Sequence, residues 1–429
     1  MRNNSSNKDL IVPEFKELIV YSPIIFLLYL YLFQPPIIIS KYYYIGFEFI
    51  FFLVYVIFIN KKLVSSFVNR FPKESFLLLC IVFYSLIREL FANEIVYFDR
   101  FSSWAFQSFL FGFVIIDWLN QHNRNKNEKT NLFSLFYWTA FVASLLSFFL
   151  FTSSTFDSYY TSSVVVEDFE AYAHYEKRHR LYGIAENLSF TFSYVLGFFA
   201  GYTILVIKNN YLLIIPFVLF LLGVILNARI GFFAVLIFLI YQLIISKDYR
   251  SFSSFFMIFL LLIVSYLTFF DGYLTLFLTN KDWVVEFFYE ISDMLLGTNY
   301  LQTNETTIAT LMGRFIIWPE TFSQWIFGSG KSLFFDSKTN TDVGYILQLN
   351  YGGLILITLI FSLLVVMIYR LKFYLRLKHW FFFVFLCSVL ILNFKGFLFA
   401  ATPGGRLFFL LYIFFINQRI VSKSEIDKR

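Results

Sequence analysis

YLLIIPFVLFLLGVILNARIGFFAVLIFLIYQLIIS, residues 211–246, is two apolar runs with one charge between them, Arg229. Neither run has a polar face, so neither suits a helix lying on the surface of a soluble domain. The first run, 211–226, is 16 residues long. As a helix it covers about 24 Å, at about 1.5 Å per residue. The hydrocarbon core of a bilayer is about 30 Å thick. Two such helices in succession, with almost no loop, describe a membrane hairpin. Because the first run is short for a crossing, its turn is expected to be recessed, with Arg229 pointing into an indentation. A snorkelling or loop-tip arginine is the plainer alternative.

The rest of the chain agrees with the hairpin. Of 429 residues, 59% are hydrophobic and only 14% charged, where a soluble domain carries roughly 25%. Aromatic residues make up 23%, with Phe at 63 and Tyr at 29. That exceeds an aromatic belt and is read as compositional bias rather than a binding surface. The net charge of +6 sits in short clusters between apolar runs, with no continuous basic face for nucleic acid. Cys80 and Cys387 lie far apart inside apolar runs, so neither a disulfide nor a thiolate metal site is expected. The N-terminal MRNNSSNKDLIVPEFKE is polar, with no small-residue cleavage site after the first apolar run. It is expected to lead into an uncleaved first helix.

At roughly 17–25 residues per crossing, the chain offers about twelve spans. They fall near 18–33, 42–59, 75–91, 101–119, 132–151, 184–207, 211–227, 229–246, 252–270, 343–369, 379–398 and 404–420. With the N-terminus inside, the inner segments carry 21 of the 34 basic residues although they are the shorter ones, as the positive-inside rule requires. The expected fold is therefore an all-α integral membrane protein, a single polytopic domain over 1–429 with both termini cytoplasmic. Two outer loops are long, 152–183 and 271–342. Loops of that length are usually functional when ordered, and both can fold over the same face.

Arginine recurs on that face: Arg178 and Arg180 in HYEKRHRLYGIAEN, Arg229, and Arg314 in MGRFIIWPETFSQWIFGSG. Arg314, Trp318, Phe322 and Trp325 follow at spacings of four, four and three. That is one helical face, suited to a helix in the outer interface, although Pro319 limits its regularity. An aromatic anchor and nothing more is the other interpretation. Gly328 and Gly330 allow a tight turn, and Asp342 stands at the mouth of the next span, where it can serve as N-cap. Several arginines beside one or two carboxylates suggest a membrane-bound anionic substrate. Arginine forks bind diphosphate oxygens bidentately. A polyprenyl-diphosphate sugar fits, with its tail in the bilayer. Its diphosphate leaves readily once arginines stabilise the developing charge, and an Asp or Glu serves as base for the acceptor hydroxyl. No metal or cofactor is called for. His174 and His179 are five apart, unlike a helical zinc pair, and no Walker loop, Gly-rich dinucleotide turn or Asp-x-Asp occurs. The first outer loop, PPIIISKYYY, has no carboxylate, unlike lipid-phosphate glycosyltransferases that carry an acid there.

Five segments together resemble the O-antigen polymerases, within the larger group that includes O-antigen ligases. They are RHRLYGIAEN at 178–187, NARIGFF at 227–233, GRFIIW at 313–318, GSG at 328–330 and DVGYILQLNYGG at 342–353. The resemblance covers roughly 178–353 and leaves out the first five spans. It implies a glycosyltransferase that joins undecaprenyl-diphosphate-linked oligosaccharide repeat units at the periplasmic face of a bacterial inner membrane, for lipopolysaccharide biosynthesis. Carried over, Arg229 and Arg314 hold diphosphate, with Arg178 or Arg180 assisting. Asp342 is the candidate base and Glu186 the alternative, while Tyr345, Asn187 and Trp318 position substrate. The implied partners are the lipid-linked repeat units and the lipid bilayer, with a polysaccharide chain-length regulator as a further candidate. The ligases carry a histidine followed by Asn near where TDVGYI stands here, so Asp342 favours a polymerase over a ligase. A flippase for the same lipid would concentrate charge through its spans; here only Arg88, Glu89 and Asp117 qualify, all near span ends.

Overall fold

The structure is a computed structural model that describes residues 10–36, 41–92, 97–126, 131–153, 155, 184–185, 190–227, 230–246, 317–330, 343–374, 379–395 and 398–426. Among these residues every regular element is helical. In chain order they are α1 (Phe15–Val20), α2 (Ser22–Phe33), α3 (Lys41–Val54), α4 (Leu63–Arg70), α5 (Pro72–Ala92), α6 (Phe98–Trp104) and α7 (Gly112–Lys126). Then come α8 (Leu132–Thr152), α9 (Phe190–Val206), α10 (Ile214–Asn227), α11 (Gly231–Ile240), α12 (Phe322–Phe327), α13 (Gly344–Tyr374), α14 (His379–Lys395) and α15 (Pro403–Ile426). Wider π-turns extend α3 through Tyr55–Ile59, join α6 to α7 through Ala105–Phe111, and extend α11 through Tyr241–Ser246.

Five described helices are long and apolar enough to cross a membrane: Pro72–Ala92, Phe98–Asn123, Leu132–Thr152, Phe190–Asn209 and Gly344–Lys372. A sixth is added if Tyr43–Ile59 and Leu63–Arg70, which meet at 101°, count as one broken span. The expected span at 252–270 lies outside the described residues.

By contacts the chain divides into two compact units. One holds Met1–Glu14, Phe33–Ser40 and Tyr137–Thr306; the other holds Phe15–Leu32, Lys41–Phe136 and Thr307–Arg429. In the first unit α9 is buried on every side, as its lack of a polar face requires. It meets α11 without intervening side chains: a Cβ on Gly197 would lie 2.0 Å from the Gly231 carbonyl oxygen. Small residues that let two backbones touch are how helices pack when lipid removes the hydrophobic drive between them. α10 gains reach at its start, because Tyr211–Leu213 is a 3₁₀ turn capped by Asn210. Such a turn rises about 2.0 Å per residue, so the short first run of the hairpin spans more than a plain α-helix would.

The second unit packs aromatic side chains around Trp104, whose ring meets Phe109, Phe399 and Phe409 edge-on at 5.0–5.5 Å. It also buries charge. Arg406 is fully buried and donates to the carbonyls of Leu32 (3.0 Å) and Ala401 (2.6 Å) and to Gln107 Oε1 (3.3 Å). Gln107 in turn donates to Glu48 at 2.6 Å. Near the far end of α13, Arg370 pairs with Glu74 at 2.8 Å, and Tyr412 donates to the same carboxylate oxygen. Charges at this depth persist only when partnered.

Candidate functional site

The site is organised by a broken helix. Hydropathy and length make Gly344–Lys372 a single span, and the sequence reads it so. The backbone breaks at Gly353, with φ 63° and ψ −164°. Tyr345 and Phe361, 16 residues apart, stack their rings 6.2 Å apart at 16°. A straight helix would separate them by about 24 Å, so the arm 344–352 folds back along 354–374. The second arm alone is about 31 Å long at ~1.5 Å per residue and suffices for a crossing of about 30 Å. The first arm is a half-helix laid beside it.

A break strands carbonyls that a continuous helix would satisfy; here those of Asn350, Tyr351 and Gly352 find donors, as do carbonyls of the segment docked on the break. Ser329 N donates to Asn350 O at 2.6 Å, and Gly330 N to Tyr351 O at 2.9 Å. The Tyr84 hydroxyl is shared between Gly352 O (2.9 Å) and Phe327 O (3.0 Å). Arg88 Nη2 donates to Gly328 O at 2.7 Å, and Asn350 Nδ2 to Ile317 O at 2.7 Å. The turn after α12 is therefore docked onto the break in α13, with α5 bracing both. Only glycine fits the two facing positions. Gly328 has φ 74°, and its Cβ would lie 2.1 Å from Tyr351 O; that of Gly353 would lie 2.3 Å from Ile326 O.

α12 differs from the expected face through Arg314, Trp318, Phe322 and Trp325, for it runs only from Phe322 to Phe327. Pro319 lacks a donor and restricts the residue before it. Thr321 and Gln324 close a capping box that starts the helix three residues after that proline. Trp318 nevertheless reaches Trp325 from outside the helix: their rings stack at 5.6 Å and 13°. With Trp318 56% and Phe322 80% exposed, the result is an open aromatic shelf.

Of the expected site residues, Trp318 and Tyr345 are described. Tyr345 donates to Leu390 O at 3.3 Å, and one turn on, Gln348 and Asn393 exchange two amide hydrogen bonds of 2.8 and 3.1 Å. These seat the half-helix on α14. Arg178, Arg180, Glu186, Asn187, Arg229, Arg314 and Asp342 lie outside the described residues.

The structure adds residues that the sequence does not single out. Tyr84 and Tyr351 carry no sequence signal, being two tyrosines among 29. Arg88 and Glu89, legible only as charges near a span end, are bracing groups: Glu89 accepts from Tyr97 N, Phe98 N and Tyr351 Oη. Asn227, which opens the NARIGFF segment, buries an amide oxygen with no partner among the described residues, while its NH₂ donates to Gly223 O at 2.7 Å. Arg406 had a signal, a lone arginine inside an apolar run. Among the described residues no three His, Cys, Asp or Glu side chains come together to hold a metal ion.

In comparisons with protein families, with curated proteins and with solved structures, nothing matches this chain.

Proposed function

We propose that the chain is a metal-independent glycosyltransferase of the O-antigen polymerase type, acting on undecaprenyl-diphosphate-linked oligosaccharides at the periplasmic face of a bacterial inner membrane. It would cross that membrane about twelve times with both termini cytoplasmic. One observation carries the proposal. Parts of three of the five resembling segments, Ile317–Trp318, Gly328–Gly330 and Val343–Gly353, are tied together by hydrogen bonds at one helix break. The arrangement supports a site where chain from the outer loop reaches inward along a half-helix, which is what a lipid-borne diphosphate and a sugar acceptor both need.

In this proposal Arg229 and Arg314 grip the diphosphate of the growing chain, with Arg178 or Arg180 assisting. An acceptor hydroxyl on the incoming unit attacks the anomeric carbon, whose bond to the diphosphate oxygen breaks. The hydroxyl proton passes to Asp342, or to Glu186 in its place, and undecaprenyl diphosphate leaves with its charge held by the arginines. The Trp318 shelf and Tyr345 would orient sugars.

The test is a lipopolysaccharide gel from the source strain lacking this gene, complemented with variants. Deletion should leave core carrying a single repeat unit. Arg314→Ala should not restore the ladder at normal protein level. Arg314→Lys should restore it poorly, because the bidentate fork is lost, and full restoration by Lys sinks the diphosphate clamp at that position. Asp342→Asn should be inactive, and near-normal chains from it move the base to Glu186. Total loss of O-antigen with lipid-linked chains accumulating would assign a ligase instead. Single units trapped on the inner leaflet would assign a flippase. Among the described residues, the buried Glu48, Gln107 and Arg406 network and the Glu74–Arg370 pair favour transport, yet these side chains are held by hydrogen bonds within the unit.

A further inference from the structure

A second polar site lies in the same unit, where α3 and its π-extension bend by 101° into α4. There a pocket of about 350 Å³ is lined by Asn60, Arg70, Asp117, Asn120, Gln121 and Asn417. Ligand sites begin at about 300 Å³, so the volume suffices for a small polar group. The two charges on its wall are of opposite sign, yet they do not pair with each other. Asp117 Oδ2 accepts from Tyr55 Oη (2.8 Å), Asn60 Nδ2 (2.9 Å) and Gln121 Nε2 (3.0 Å). All three donors fall on that one oxygen, and Oδ1 receives none among the described residues. Arg70 donates through Nη1 to Asn417 Oδ1 and lies over the Phe113 ring at 5.7 Å. Its other nitrogens have no acceptor among the described residues.

An arginine and a carboxylate that share a cavity without touching are complementary to a molecule carrying both charges. A simple anion would be repelled by Asp117 and a simple cation by Arg70. The amides of Asn120 and Gln121 add neutral donors and acceptors. Beside the pocket, Ile57, Phe58 and Ile59 are 52%, 79% and 55% exposed, a strip that suits acyl chains. We propose that this pocket binds a phosphoethanolamine group, with its phosphate on Arg70 and its ammonium donating to Asp117 Oδ1, carried by a lipid of the adjoining leaflet. The proposal is independent of the glycosyltransferase reading.

The test is native mass spectrometry of the delipidated full-length protein, titrated with phosphatidylethanolamine, phosphatidylglycerol and phosphatidylcholine. Phosphatidylglycerol lacks the ammonium, and phosphatidylcholine has no N–H to donate. One charged hydrogen bond corresponds to about tenfold in affinity, so phosphatidylethanolamine should bind about tenfold tighter than either. Asp117→Asn should reduce that preference to about onefold, and Arg70→Gln should weaken all three lipids. Equal binding of the three lipids to the wild-type protein overturns the proposal, as does an undiminished preference in folded Asp117→Asn. If Asp117→Asn does not elute as a folded species, the wild-type selectivity and Arg70→Gln decide. Soluble glycerophosphoethanolamine separates the sources. Binding as tight as that of the lipid would assign the pocket to a free ligand and overturn the lipid assignment; at least tenfold weaker binding supports it.

Discussion

Gly353 shows how one residue sets the site. Its φ of 63° is in the left-handed region, and the space where a side chain would begin is filled by the Ile326 carbonyl. Gly353→Ala should cost at least about 1–2 kcal/mol from the backbone conformation, with the steric clash added, and should uncouple α12 from α13. Thermal unfolding in detergent is the measurement. The control is Gly46→Ala, where nothing lies within 4 Å of the added carbon and a helical alanine is the better residue by about 0.5–1 kcal/mol. Equal midpoints for the two variants would mean that the break does not depend on glycine. From sequence, Gly352-Gly353 reads as two small residues inside an apolar span. The positive φ is invisible there, because the force that bends the chain comes from Ser329, Gly330 and Tyr84, more than 20 residues away. Trp318 and Tyr345 were singled out from sequence by their place among the resembling segments; their contacts with Trp325 and Leu390 are what the structure adds.

Among the helices, α12 and the first arm of α13 are where local signals and tertiary contacts part. The capping box of α12 is a local device and could be read from Thr321 and Gln324, three apart, once Pro319 is given full weight. The fold-back of α13 could not. Hydropathy summed over 344–372 is the same whether the chain runs straight or doubles back. What holds the half-helix on α14 is the Gln348–Asn393 pair, buried and reciprocal. Removing one partner strands the other, which costs about 1–3 kcal/mol, whereas replacing both with an apolar residue of similar shape is nearly neutral. Gln348→Leu and Asn393→Leu should therefore each lower the unfolding midpoint in detergent. The double variant should recover most of the loss, and simple addition of the two losses would show that the pair does not act as a unit.

Across the whole molecule, the proposed orientation makes a prediction independent of chemistry. In a chain with Cys80 and Cys387 replaced by Ser, single cysteines are placed at Lys61, Lys372 and Phe322, all exposed. A membrane-impermeant maleimide should label Phe322→Cys from the periplasm. Lys61→Cys and Lys372→Cys should react only after the inner membrane is opened. Labelling of Phe322→Cys and Lys372→Cys from the same side would refute the arrangement of spans.

Composition and apolar run length are local properties, and lipid acts on each segment separately. That is why the sequence alone pointed to the apolar helices seen among the described residues, while α4 and the break at Gly353 went unread. The interior charges obey a different logic. Glu74 and Arg370 are 296 residues apart and Arg88 and Gly328 are 240 apart, and no local pattern says which buried donor meets which acceptor. The tertiary structure decided those pairings, the docking of the 317–330 segment on the α13 break and the placing of Arg70 and Asp117 on one pocket wall without an ion pair between them. A polar group withdrawn from water must find its partner wherever the packed chain brings one.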